Sequence, residues 1–117
     1  MLRWTFLALL ATTGAAHAGN FEFLAAPEVD LNRVYRVDKG TGEVGACQFG
    51  LKDGEPVGVT LCYGAGEGAG AQPPSDYALV SSRHEKEGGV FRVDQRTGAM
   101  SICYVRNELV VCTPPAK

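Results

Sequence analysis

Val34–Cys47 reads VYRVDKGTGEVGAC, and Val90–Cys103 reads VFRVDQRTGAMSIC. Val90 follows Val34 by 56 residues, and Cys103 follows Cys47 by the same 56, so the two stretches align without a gap. Val, Arg, Val, Asp, Thr, Gly and Cys are identical, and Tyr35/Phe91 and Val44/Met100 exchange similar side chains. Self-similarity at a fixed offset marks a tandem duplication, and the architecture follows from it. Upstream, Phe21–Leu24 and Tyr77–Val80 share an aromatic-x-apolar-apolar pattern at the same offset.

Within each copy the pattern alternates with period two, the signature of strands. Strands are expected near 21–26, 34–38, 43–49 and 57–63, and again near 77–82, 90–94, 99–105 and 109–112. Alternation places Tyr35 and Val37 on one face and Arg36 on the other; Phe91 and Val93 stand opposite Arg92 in the same way. The aromatic face is the expected core. Asp38–Gly42 and Asp94–Gly98 each read Asp-x-x-Thr-Gly. In that motif Asp38 or Asp94 accepts backbone N–H groups across the turn and Thr41 or Thr97 bonds back. Gly42 or Gly98 takes the positive φ that starts the return strand. A hairpin with a type I turn and a glycine bulge is the expected form.

All four cysteines lie in the two copies. If Arg106 and Leu109 close a two-residue turn, Cys103 faces Cys112 three pairs further in, at a non-hydrogen-bonded position. There the Cα atoms approach to about 4.5 Å, within reach of a disulfide. Cys47 and Cys62 bracket the matching hairpin with a longer loop. The expected pairing is Cys47–Cys62 and Cys103–Cys112, against the alternative of Cys47 with Cys103 or Cys112. No Cys-x-x-Cys spacing is present, which argues against zinc and against thiol exchange.

The expected organisation is a signal peptide over 1–18, a first β repeat over 19–63, a Gly/Ala/Pro linker over 64–76, a second repeat over 77–112 and a tail over 113–117. Arg3, the apolar run Trp4–Leu10 and Ala16-His17-Ala18 have the order of an export leader. The run falls short of the roughly 20 apolar residues of a membrane span. An even cysteine count agrees with a periplasmic or secreted destination. Without the leader the chain carries a net charge of about −3, which gives no electrostatic reason to expect nucleic acid or an anionic membrane. The linker, Gly64 to Pro74, alternates Gly and Ala and reads as an exposed, flexible connection. It lacks the helix and the Lys-Ser/Thr of a phosphate-binding loop.

The fold class expected from these features is all-β: a tandem duplication of a four-stranded antiparallel unit, stapled by disulfides, as blade-like sheets or a small sandwich. The Asp-x-x-Thr-Gly hairpin resembles that of quinoprotein-like β-propeller blades, on Asp38, Thr41 and Gly42 and on Asp94, Thr97 and Gly98. The resemblance implies blade-like hairpin geometry. The docking Trp of those blades is replaced by Ala46 and Ile102, and two repeats stand against the four or more of a propeller. Nothing about a quinone cofactor carries over; no cofactor or metal is expected.

Catalytic candidates are sparse. His84 is the one histidine outside the leader, in the charged run Arg83–Glu87, and Ser81, Ser82 and Ser101 sit in no Gly-x-Ser-x-Gly elbow. Arg36 and Arg92, at equivalent strand positions, form a candidate basic pair able to grip partner carboxylates. A cross-strand ion pair is the plainer use of them. Tyr63 and Tyr104 are candidate contact residues. The expected function is therefore non-catalytic binding, as a module or small accessory subunit of a cell-envelope complex. The alternative is a secreted hydrolase inhibitor presenting Lys52–Pro56 or the loop around His84; a small periplasmic enzyme ranks third.

Overall fold

The computed structural model describes residues 19–115; the expected signal peptide lies outside them. Eight strands follow in order: β1 (Phe21–Ala25), β2 (Arg33–Asp38), β3 (Val44–Gly50), β4 (Val59–Tyr63), β5 (Tyr77–Val80), β6 (Val90–Asp94), β7 (Met100–Arg106) and β8 (Leu109–Thr113). They form two separate antiparallel meanders, β1-β2-β3-β4 and β5-β6-β7-β8, one per repeat. The two central hairpins share one register: Arg36 lies opposite Gly45, and Arg92 opposite Ser101.

Both Asp-x-x-Thr-Gly loops close as the sequence expects. Oδ1 of Asp38 accepts from the backbone N–H groups of Gly40 (2.8 Å) and Thr41 (3.0 Å), and that of Asp94 from Arg96 (2.9 Å) and Thr97 (3.2 Å). Thr41 and Thr97 accept from the backbone N–H two residues on. Gly42 and Gly98 sit at φ +76° and +78°, where any side chain is strained. Both disulfides form between directly opposed residues, Cys47–Cys62 and Cys103–Cys112, with Cα atoms 4.0 and 4.1 Å apart. Their closed loops contribute on the order of 3 kcal/mol each to a domain whose core is thin.

The sheets stack by opposite faces, which corrects the expectation of a shared aromatic core. Sheet 1 turns Tyr35 and Val37 inward, both fully buried, together with Val44 and Ala46. Sheet 2 turns inward the other side of its strands: Val90 (0% exposed), Arg92 (7%), Cys103 (0%), Tyr77 and Leu79. Phe91 and Val93, the counterparts of Tyr35 and Val37, lie on the outside and are only half-buried. The physical reason is in the strands themselves. Val34 and Val90 share a side with the arginines, so each central strand is apolar on both faces and either can be buried.

The linker is also corrected. Ala69 is fully buried and its carbonyl accepts from the N–H of Val44 (2.9 Å). Ala65 forms a parallel bridge with Val110, and Glu67 accepts from the N–H of Cys112 (3.0 Å), so residues 64–67 cover the edge of β8. An uncovered edge invites pairing with other chains. Here it is closed by the chain's own connection.

The β7–β8 turn places Asn107 at φ 51° and Glu108 at φ 65°, a two-residue turn of the I′ type. Asn tolerates this region, whereas Glu is strained there. Glu108→Gly is expected to stabilise the oxidised protein by about 1 kcal/mol, raising the melting temperature by roughly 4–8 °C for a domain of this size. Unchanged or lower melting in a thermal scan would show that the turn has another form.

Candidate interaction surfaces

Arg36 and Arg92 do not form an exposed pair. Arg92 lies in the interface between the sheets, where its guanidinium donates to the carbonyl oxygens of Gly42 (2.9 Å) and Gly68 (3.0 Å). One bond reaches the hairpin turn of sheet 1 and the other the linker, so a single side chain ties three segments together. Burial pulls its pKa below the usual arginine value. Around it Tyr77 covers Gly42, where an added Cβ would lie 2.9 Å from the Tyr77 ring. Tyr35 donates its hydroxyl across the interface to the carbonyl of Gly88 (2.6 Å), and Glu22 accepts from the N–H of Leu79 (3.2 Å).

Arg36 is exposed on the outer face of sheet 1. Its guanidinium carbon lies 4.9 Å from the centroid of Phe21, a cation–π contact within one face. Around it the same face exposes Phe21 (43%), Phe23 (62%) and Val34 (43%), and carries the Cys47–Cys62 disulfide. Between Phe23, Val34, Arg36, Cys62 and Tyr63 runs an apolar groove of about 290 Å³. The outer face of sheet 2 is apolar throughout its middle. Register places Ala78, Val93 and Met100 in one row and Val80, Phe91 and Ile102 in the next, with Tyr104 beside Val111. Met100 is 57% and Val80 50% exposed. Of the two candidate tyrosines, Tyr63 packs against the core edge beneath Arg33, while Tyr104 stays half-buried on the outer face. Sequence reasoning missed Phe23 and Met100 as surface residues. The signal for them was present: a central strand apolar on both faces in each of the two repeats.

The remaining polar chemistry is scattered. A groove of about 390 Å³ beside the second hairpin turn is lined by Ser75, Asp94, Arg96 and Ser101, with Arg92 at its floor. Ser75 donates to Asp94 (2.6 Å), and Arg96 pairs with Asp76 (2.7 Å) in solvent. His84 is exposed; its Nδ1 accepts from the N–H of Lys86 (3.2 Å), and Ser81 donates to the carbonyl of Ala25. Among the described residues no group of three or more His, Cys, Asp and Glu side chains is placed to hold a metal ion, and no helix is long and apolar enough to cross a membrane. The two disulfides are consistent with an oxidising environment. No family model, curated protein or solved structure matches the chain.

The arginines separate by experiment. Arg92→Met leaves two interface carbonyls without their donor and is expected to cost about 1–3 kcal/mol in urea unfolding. Arg36→Met should change stability by no more than about 0.5 kcal/mol. Equal effects would contradict the buried position of Arg92. The turn aspartates give a pH dependence. Thr41 and Gly40 backbone bonds hold Asp38 below the usual carboxylate pKa, and Ser75 with the turn N–H groups does so for Asp94. A lowered folded-state pKa means that this stabilisation is present above the unfolded value and is lost as pH falls through the folded one. The melting temperature should fall on acidification through and below the ordinary carboxylate range. The fall should be shallower in a D38N/D94N double variant; identical slopes would rule the aspartates out.

Proposed function

We propose that the chain is an exported, non-catalytic binding module that works as a small subunit of a cell-envelope assembly. The observation that carries this reading is the pair of outer sheet faces, each with large apolar side chains open to solvent. Contiguous exposed apolar surface on a small protein marks interaction sites, because leaving it wet is unfavourable. The leader-like residues 1–18 and the two disulfides support export.

The test is native mass spectrometry of the protein isolated from its source without reductant. The expected species is an assembly larger than one chain at fixed stoichiometry, which dissociates when Phe23→Glu or Val80→Glu is introduced. A lone chain from the source would contradict the reading, as would turnover of a substrate abolished by His84→Ala.

A specific observation favours a second reading, inhibition of a hydrolase. The β3–β4 loop stands away from the core with Leu51 78% and Val57 71% exposed, on a hairpin stapled by Cys47–Cys62. A loop anchored at its base by a paired, disulfide-bonded hairpin loses less entropy on entering a cleft than a free segment does. Near-stoichiometric slowing of an envelope hydrolase, lost on Leu51→Asp, would support it over the assembly reading.

A further inference from the structure

The internal interface is built from opposite faces of two equivalent sheets, so the faces left outside are the two halves of a second interface. A pair related by a two-fold axis buries the same face of both members. These sheets do not. Sheet 1 buries the Tyr35/Val37 face and leaves out the Arg36 face. Sheet 2 buries the Arg92 face and leaves out the Phe91/Val93 face. Shifting by one repeat maps outer onto inner in each case. Exposed Phe21, Phe23, Val34 and Arg36 are the counterparts of Tyr77 (5% exposed), Leu79 (5%), Val90 (0%) and Arg92 (7%). On sheet 2, half-buried Phe91 and Val93 and exposed Met100 are the counterparts of Tyr35, Val37 and Val44, each 0% exposed.

We infer that the chain self-associates head to tail, the outer face of sheet 1 in one copy seating on the outer face of sheet 2 in the next. The inference rests on reading these faces as binding surfaces and names their occupant as a second copy. Continuity with the internal interface fixes the geometry. Phe23 of one copy joins Val80 and Phe91 of its neighbour in one cluster, as Leu79 shares the internal core with Tyr35 and Leu24. Phe21 covers Gly98, whose surroundings are otherwise open, as Tyr77 covers Gly42. Arg36 donates to the carbonyl of Gly98, as Arg92 does to that of Gly42. The contact joins separate copies and therefore depends on protein concentration. Such a heterologous contact gives a closed ring or an open filament according to the rotation per step.

Sedimentation velocity of the purified oxidised protein over a concentration series tests this. The wild type should grow beyond a dimer as concentration rises. Phe23→Glu blocks one face and Val80→Glu the other; both positions are half or more exposed, so each variant should keep the wild-type circular dichroism. Each alone should be monomeric, with self-association weakened by roughly thirtyfold or more. Mixed together they should form a capped dimer, because each retains the face that the other has lost. A wild type that stays monomeric overturns the inference, as does a single variant that still dimerises, which would mean that one face pairs with itself. A monomeric purified chain that nevertheless sits in a fixed-ratio assembly with a different protein at source would sink self-association and leave the binding-module reading standing. A monomer in both settings would sink both.

Discussion

The Arg92 guanidinium holds the architecture together. A charged group buried between sheets is costly unless it is hydrogen-bonded, and here two guanidinium nitrogens donate to the carbonyl oxygens of Gly42 and Gly68 rather than to a carboxylate. Both acceptors belong to backbone whose direction is fixed by a glycine at positive φ. The first turn, the linker and the central strand of sheet 2 must therefore be in place together. That requirement explains why the sheets stack in one particular order and why the linker, rich in Gly and Ala, is drawn into the interface. Ala69 is buried in the shared core, and Gly68 lies so close to the backbone of Cys112 that no side chain would fit.

Stacking by opposite faces has a consequence for function. Two identical faces packed together would leave the same face of each repeat outside, at both ends of the stack. Translation from one sheet to the next leaves an apolar face at each end, one centred on Arg36 and Phe23, the other on Phe91 and Met100. Each outer face is thus the sequence counterpart of a face that the other repeat buries. Binding is the use we propose for these two faces.

Much of this was legible in the residues. The duplication, the eight strands, both aspartate turns and both disulfides follow from spacing, because local hydrogen bonding and directly opposed cysteines depend on neighbours along the chain or across one hairpin. The direction of packing was not legible. Val34-Tyr35-Arg36-Val37 carries apolar groups on both sides, and alternation alone says that a strand has two faces, not which one meets another sheet. Taking arginine as the outward marker was right for Arg36 and wrong for Arg92, since burial of the latter depends on carbonyls supplied 50 and 24 residues away. The linker was misread for the same reason: Gly and Ala suit a flexible tether, and they suit equally a segment that must pass close to backbone.

Nuclear Overhauser contacts between the two sheets test the opposite-face stack most directly. The account predicts contacts from the Tyr77 ring to Gly42 and from the Tyr35 ring to Gly88 and Val90, with none between the Tyr35 and Phe91 rings. Contacts between Tyr35 and Phe91, with Arg92 exchanging freely with water, would mean that the aromatic faces meet instead and would contradict it.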